Sequence, residues 1–193
     1  MWGQILPGLG IKIFMTVLLG VVYPLAITGI CQVVFPHRAN GSLIVVDGKA
    51  IGSELIGQNF ARPEYFQPRP SAAGNDGYDT TASGGSNYGP TNKKLIDRVQ
   101  AAVVKFRKDN PDYHGPIPAD LLTASASGLD PHISPDSAMA QVARVAQARG
   151  VASEQLGGLV AQFTEHPDFG FVGEPRVNVL KLNLELDRQF PRR

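Results

Sequence analysis

The feature that most limits how this chain can fold is a run of apolar residues near its N-terminus. Residues 13–35 include no Asp, Glu, Lys or Arg. As an α-helix, such a run would span about 34 Å, slightly more than the roughly 30 Å hydrocarbon core of a bilayer. It is longer than the apolar part of a cleaved signal peptide, and no A-x-A cleavage signal follows it. We therefore predict an uncleaved membrane helix at about 13–35, within an N-terminal segment of residues 1–37.

Small residues in this run indicate contact with another helix. Pro24 and the small residues Gly20, Ala26, Thr28 and Gly29 would weaken a helix in water, but membranes tolerate them where a neighbouring helix approaches closely. Gly20 and Gly29 are therefore candidates for contact with a partner helix, and the sequence leaves open which of the two, if either, faces it. Lys12 precedes the run and Arg38 follows it. Because these charges nearly balance, the positive-inside rule does not determine the orientation.

Composition excludes several classes of function. The chain has 18 Lys and Arg against 17 Asp and Glu, a net charge of +1, so we expect no nucleic-acid partner. Cys31 is the single cysteine, which excludes an internal disulfide and any multi-cysteine metal site. The four histidines share no i, i+4 spacing and have no nearby cysteine, so no metal site is predicted.

The rest of the chain, residues 41–193, is predicted to form one soluble domain of the α+β class. Asp47-Gly48 between two β-branched runs predicts a hairpin. The C-terminal tail, residues 177–187, alternates apolar and polar residues, which favours a strand, but its Leu, Lys and Glu also favour a helix. The sequence does not decide between a strand and a helix for this tail. The predicted elements are a hairpin at 42–51, a Gly/Pro/Ser-rich loop at about 60–90, helices at 91–110, 134–150 and 153–163, and the open tail at 177–187.

No complete catalytic motif occurs in this sequence. The GxxxxGK[ST], GxGxxG and GxSxG patterns are all absent, which argues against independent ATP hydrolysis and against an α/β-hydrolase. Ser125 and Ser127 lie close in sequence to Asp130 and His132. A membrane-anchored Ser-dependent hydrolase is therefore one alternative, although triad residues usually meet through the fold rather than along ten residues.

The long loop offers a second candidate site. Residues 83–87 (SGGSN) are rich enough in glycine to present backbone N–H groups to an anion, or they form a flexible turn. Arg62, Tyr65, Phe66 and Arg69 precede them. These residues either form a docking surface, since Arg and aromatics anchor interfaces, or bind the loop to its own domain. A ligand of a membrane-anchored binding or sensing module, another alternative, would sit in this loop.

Six motifs occur together and in order along the chain. With them the sequence resembles the C subunit of the bacterial Kdp potassium-transporting P-type ATPase over nearly its whole length, and TASASGLD is the most specific of the six. The motifs are GSELIGQNF at 52–60, YFQPRPSA at 65–72, SGGSN at 83–87, TASASGLD at 123–130, RVAQAR at 144–149, and VNVL at 177–180 followed by Leu182 and Asn183.

The resemblance implies a non-catalytic accessory subunit that is needed for assembly. It also implies a catalytic chaperone that raises the ATP affinity of the hydrolysing subunit. The implied partners are a channel-like potassium-translocating subunit, an ATP-hydrolysing P-type subunit, a small single-span peptide and the lipid bilayer. ATP and the potassium ion would then be handled by the complex, with no cofactor bound by this chain. The implied location is the bacterial cytoplasmic (inner) membrane, crossed once.

The resemblance has two incompatible implications for the SGGSN motif. It has been compared with the signature motif of ABC transporters, which would bring it near a nucleotide. The family's soluble domain is also placed on the extracytoplasmic side, across the bilayer from the ATP site. We favour the extracytoplasmic side and expect a structural loop. The residues concerned are Ser83, Gly84, Gly85, Ser86 and Asn87.

Overall fold

The computed structural model describes residues 2–191, and its contacts divide the chain between Ile51 and Gly52. The first unit is dominated by a helix of residues 2–34, within which Gly3–Val34 is long and apolar enough to cross a membrane. The predicted apolar helix is confirmed. It begins before residue 13 because residues 3–11 are also uncharged and continue the same helix.

This helix is not α-helical throughout. It comprises α1 (Trp2–Val17), a π-helical segment (Leu18–Val22) and α2 (Tyr23–Val34). The π segment ends two residues before Pro24, whose ring lacks an N–H and clashes with the carbonyl four residues earlier in an α-helix. A wider π turn at this point is one way to accommodate the proline.

The predicted hairpin is confirmed. It follows the short helix α3 (Pro36–Ala39). Strand β1 (Leu43–Val46) pairs with β2 (Lys49–Ser53). Asp47 and Gly48 both have positive φ, as a two-residue hairpin turn requires.

The second unit is α+β, as predicted. Its helices surround a small antiparallel sheet of order β3-β5-β4, in which Ile133 lies opposite Val177 and Val177 opposite Thr164. Its elements are α4 (Lys93–Asp109), a 3₁₀ turn (Ala119–Leu121), β3 (His132–Ile133), α5 (Pro135–Met139), α6 (Val142–Arg149), α7 (Ser153–Gln162), β4 (Thr164–Glu165), β5 (Arg176–Asn178) and α8 (Val179–Gln189).

The single helix predicted for 134–150 is wrong, since a break separates α5 from α6. Ser134 caps the start as expected, accepting from the Ser137 amide at 3.1 Å, and Gly150 ends α6 in the left-handed region. At the break, the Gln141 amide donates to Ala138, three residues back. Its side-chain amide donates to the Ser137 carbonyl, which a continuous helix would pair with the Gln141 backbone.

The tail, left open by its sequence, contains both kinds of element. Asn178 ends strand β5, and its side chain caps α8 by accepting from the Lys181 amide at 3.1 Å. The buried positions then follow a helical spacing rather than the alternation of a strand. They are Val179, Leu180, Leu182, Asn183 and Leu186.

The main core lies between α5, α6, α7, α8 and the sheet. Leu156, Leu182 and Leu186 are fully buried there. Another fully buried side chain, Phe66, comes from residues 54–92, which contain no helix or strand in the described structure. The predicted loop at 60–90 is therefore irregular but contributes to the core.

Side-chain amides bind the backbone around Phe66 as a neighbouring strand would. Asn183 accepts from the Phe66 amide and donates to the Phe66 carbonyl, both at 2.9 Å. Gln141 makes the same pair with Gln67, at 2.8 and 3.0 Å. Two amide side chains, one at the α5–α6 break and one on α8, thus satisfy four backbone groups that have no secondary structure of their own.

Two buried arginines of α6 bind the backbone carbonyls of residues 63–65, which come just before Phe66. Arg144 donates to the carbonyls of Pro63 and Tyr65, and Arg149 donates to the Glu64 carbonyl at 2.9 Å. Burial lowers the pKa of Arg144 to about 10, so the guanidinium stays charged at neutral pH. Arg149 also pairs with Asp187 at 2.8 Å. Residues 63–67 are therefore bound along their whole length by side chains from α5–α6 and α8.

Replacing Asn183 with Ala is expected to destabilise the domain by about 2–4 kcal/mol. The change leaves the Phe66 N–H and carbonyl buried without a partner, at about 1–3 kcal/mol for each group. Urea unfolding of the detergent-solubilised chain, followed by circular dichroism, measures the loss. Asn75→Ala is the control, because Asn75 is exposed and should change stability by less than about 0.5 kcal/mol. Equal stabilities of the two variants would contradict this account.

Candidate functional site

The SGGSN loop lies against the TASASGLD loop in the structure. The Gly84 amide donates to the Ser127 carbonyl at 2.8 Å, and the Ser83 hydroxyl donates to the same oxygen at 3.0 Å. Two donors that could have cradled an anion are thus used within the domain.

The glycines of the two loops allow their backbones to come into close contact. A Cβ at Gly85 would lie 2.9 Å from the Ala126 carbonyl oxygen. Gly128 has a φ of +67°, and a Cβ there would lie 2.7 Å from the Gly84 carbonyl oxygen. By contrast, a Cβ at Gly84 would meet nothing within 4 Å. Gly85 and Gly128 are therefore required by packing within the domain, whereas Gly84 is not.

Ser71 connects these loops to the rest of the irregular segment. Its hydroxyl donates to the Gly128 carbonyl at 2.6 Å and accepts from the amides of Ala73 and Tyr78 at 3.1 and 2.8 Å. The Tyr78 hydroxyl in turn donates to the Arg69 carbonyl. Burial and the nearby Asp130 raise the pKa of Tyr78, so this donor keeps its proton.

An ion pair lies at the end of the TASASGLD loop. Arg69 donates to Asp130 at 3.1 Å, and the same carboxylate accepts from the His132 amide at 3.0 Å. Partial burial raises the pKa of Asp130, but the hydrogen bonds from His132 and the charge of Arg69 outweigh it, so the pKa is lowered overall. Asp130 is therefore ionised at neutral pH.

A shallow, open depression of about 600 Å³ adjoins these loops. Hydroxyls from both loops, Arg69 and Asp130 give it a polar side, and five apolar residues form the remainder. Its lining is Leu55, Ile56, Arg69, Ser83, Ser125, Ala126, Ser127, Leu129, Asp130 and Pro131.

The geometry gives the hydrolase alternative no support. The Ser125 and Ser127 hydroxyls are 3.5 Å apart, and the Ser127 hydroxyl accepts from the Leu129 amide. His132 lies 3.5 Å from Asp130 through Nδ1, but no hydrogen bond joins it to either serine among the described residues. Within residues 2–191, no three His, Cys, Asp or Glu side chains are grouped so that they could hold a metal ion.

The four residues proposed for docking occupy different environments. The Arg62 side chain is 67% exposed and lies 3.7 Å from Glu64. Tyr65 donates to Asp187 at 2.7 Å and packs against the core. Phe66 is fully buried, because its backbone is bound by Asn183. Of the two sequence alternatives, attachment to the domain itself therefore describes Tyr65 and Phe66, and the Phe66 side chain is not a docking surface.

The two membrane glycines leave open space beside the helix. A Cβ at Gly20 would meet only Thr16 Cγ2, at 4.0 Å, and one at Gly29 would meet nothing within 4 Å. Both positions have room for a neighbouring helix, and their role in docking stays a prediction.

Sequence reasoning missed the residues that organise the site. Asn183 is a polar residue at a core position of the apolar face of α8, and Gln141 is a polar residue among the apolar positions of the helix predicted at 134–150; a polar residue in such a place is a recognisable sign of buried hydrogen bonding. Ser71 and Tyr78 gave no such sign, because serine and tyrosine are ordinary residues of a Gly- and Pro-rich loop.

Together these features define a class: a membrane-anchored protein with one spanning helix and an α+β domain built on a long irregular segment. Residues 5–188 match the family described as K+-transporting ATPase, c chain (KdpC), and the chain belongs to that family.

Similar proteins agree with this assignment, and three of them bear the name potassium-transporting ATPase KdpC subunit. The Koribacter versatilis protein is 58% identical over 177 residues, covering 91% of this chain and 90% of the relative. The Myxococcus xanthus protein is 54% identical over 191 residues, covering 98% and 90%. The Nitratidesulfovibrio vulgaris protein is 52% identical over 177 residues, covering 92% and 90%.

The packing of the two loops makes a prediction for neighbouring glycines. Gly85→Ala should destabilise the domain by about 1–3 kcal/mol, because its Cβ overlaps the Ala126 carbonyl. Gly84→Ala should change stability by less than about 0.5 kcal/mol, since its Cβ points into open space. Thermal unfolding of the two full-length variants compares them directly, and a more damaging Gly84→Ala would overturn the packing account.

Proposed function

We propose that this chain is a non-catalytic accessory subunit of an ATP-driven potassium uptake complex. Its family and its relatives' names support a role beside an ATPase. The proposed partners are a channel-like potassium-translocating subunit, an ATP-hydrolysing P-type subunit and a small single-span peptide. ATP binding, hydrolysis and potassium movement belong to those partners, and this chain contributes protein contacts.

The observation that carries the proposal is the internal use of the SGGSN donors. The Gly84 amide and the Ser83 hydroxyl both bind the Ser127 carbonyl. To hold a phosphate, the loop would have to break these bonds and separate from residues 126–128. A structural role for residues 83–87 is therefore favoured over direct nucleotide contact.

The proposed effect on ATP is indirect. As a catalytic chaperone, the chain would raise the ATP affinity of the hydrolysing subunit by binding one of its states more tightly than another, since only differential affinity shifts an equilibrium. The hydrogen-bond network around Arg144, Arg149, Gln141 and Asn183 supports this indirect role, because it holds the domain rigid. A rigid surface loses little conformational entropy when it binds a partner. We place the domain on the extracytoplasmic side.

Cysteine labelling in oriented membrane vesicles tests this placement. In a Cys31→Ser background, Asn75→Cys supplies one thiol at an exposed position. A membrane-impermeant maleimide should label right-side-out vesicles fully and inside-out vesicles only after the membrane is permeabilised.

The control carries cysteine at Ser71, whose hydroxyl is hydrogen-bonded within the domain; it should react slowly in either orientation unless the domain is unfolded. Labelling of Asn75→Cys only in inside-out vesicles would place the domain in the cytoplasm and reopen direct nucleotide contact.

A further inference from the structure

The membrane helix carries an irregularity that its apolar sequence does not require for crossing a bilayer. In the π segment, the Tyr23 amide donates to the Leu18 carbonyl, five residues back. In a regular α-helix that amide would donate to Leu19. The next residue is Pro24, which has no N–H.

This register leaves the Leu19 backbone carbonyl without an α- or π-helical donor. The Leu19 carbonyl would accept from Tyr23 in an α-helical register and from Pro24 in a π register. The Tyr23 amide donates to the Leu18 carbonyl instead, and Pro24 has no amide N–H to donate. The Gly20 carbonyl also loses its α-helical donor at Pro24, and its π-register donor, the Leu25 amide, is the α-helical donor of Val21. For the Leu19 carbonyl, neither the α nor the π register of the described helix provides a donor.

No nearby side chain of the same helix can supply the missing hydrogen bond. Ser and Thr hydroxyls bond back to the carbonyl three or four residues earlier. For Leu19 those positions hold Val22 and Tyr23, and the tyrosine hydroxyl is at the far end of its ring. A free carbonyl inside the hydrocarbon core is costly, because neither lipid nor water there can donate to it.

The surface around this carbonyl is open. None of the apolar span is buried by the rest of the chain. Gly20, the next residue, has no side chain, and a Cβ at that position would meet only Thr16 at 4.0 Å. A donor from a neighbouring helix could therefore approach closely, as small residues allow in membranes.

We propose that the Leu19 carbonyl accepts a hydrogen bond from a polar side chain on a membrane helix of another subunit of the same complex. The donor is a neutral Ser, Thr, Asn, Gln or Trp side chain, because one acceptor oxygen requires one donor and a charged group would be costly at this depth. The inference rests on the proposed function, since it takes the complex as the source of the partner. It assigns the contact to Gly20 and not to Gly29, where α2 is regular.

The first test restores the missing N–H. Pro24→Ala allows a continuous α-helix, which gives the Leu19 and Gly20 carbonyls their usual donors and removes the acceptor site. The full chain is co-expressed with the partner subunits, extracted in mild detergent, and quantified in the complex after size exclusion at rising detergent concentration. Retention of Pro24→Ala should fall roughly three- to tenfold relative to the unmodified chain, the range of one interhelical hydrogen bond.

The matched control is Pro7→Ala, which also restores a helical N–H. Pro7 lies near the end of the span, where water can bind the affected carbonyl, so retention should be unchanged. Circular dichroism and membrane fractionation of both variants establish that each still inserts as a helix.

The second test weakens the acceptor without changing a side chain. Replacing Gly20 with glycolic acid, by nonsense suppression, converts the Leu19 carbonyl into an ester carbonyl, which is a poorer acceptor. The same replacement at Gly29 weakens a carbonyl that has its helical donor. Retention should fall for the ester at 20 and stay near the unmodified value for the ester at 29.

Each outcome decides the proposal. Equal retention of the two esters overturns it, even if Pro24→Ala loosens the complex, because helix shape alone would then explain that loss. Loss of contact between two differently tagged copies of the chain, in place of loss from the complex, overturns the assigned partner. If the unmodified chain fails to co-purify with any partner, the proposed function fails first, and the inference falls with it.

Discussion

The structure of the soluble unit depends on how side chains of α6, α8 and the α5–α6 break bind residues 63–67. This backbone has no strand beside it, so Gln141 and Asn183 supply the paired donors and acceptors, and Arg144 and Arg149 bind the carbonyls before them. The Phe66 side chain can then fill the core. Because buried backbone groups must be paired, these contacts determine where the long irregular segment can run.

The candidate site follows from that attachment. Beyond Gln67 the chain passes Arg69, which pairs with Asp130, and reaches Ser71, whose hydroxyl makes three hydrogen bonds. Residues 83–87 then pack on the TASASGLD loop through backbone contacts that leave no space for a Cβ at Gly85. The result is a densely hydrogen-bonded surface without the nucleophile–base contacts of a hydrolase, which suits a subunit that acts by binding other proteins.

Local signals in the sequence predicted the elements that local physics determines. The uncharged run, the Asp47-Gly48 turn and the Ser134 cap each depend on residues close together, and each was confirmed. The break at Gln141 was not predictable in this way, because it depends on a side chain that also binds Gln67, 74 residues away. The attachment of Phe66 to Asn183 spans 117 residues, and no periodicity within either segment indicates it.

The most direct test of the central claim is the ATP concentration that gives half-maximal hydrolysis by the complex. It is measured without this chain, with the unmodified chain, and with a Ser83→Ala/Gly84→Ala chain, which removes the Ser83 hydroxyl, adds a methyl group in the open space at residue 84 and leaves the Gly85 packing intact. The account predicts that both chains lower this concentration equally. A double variant that folds and joins the complex but no longer lowers it would contradict the account and make residues 83–87 a nucleotide contact.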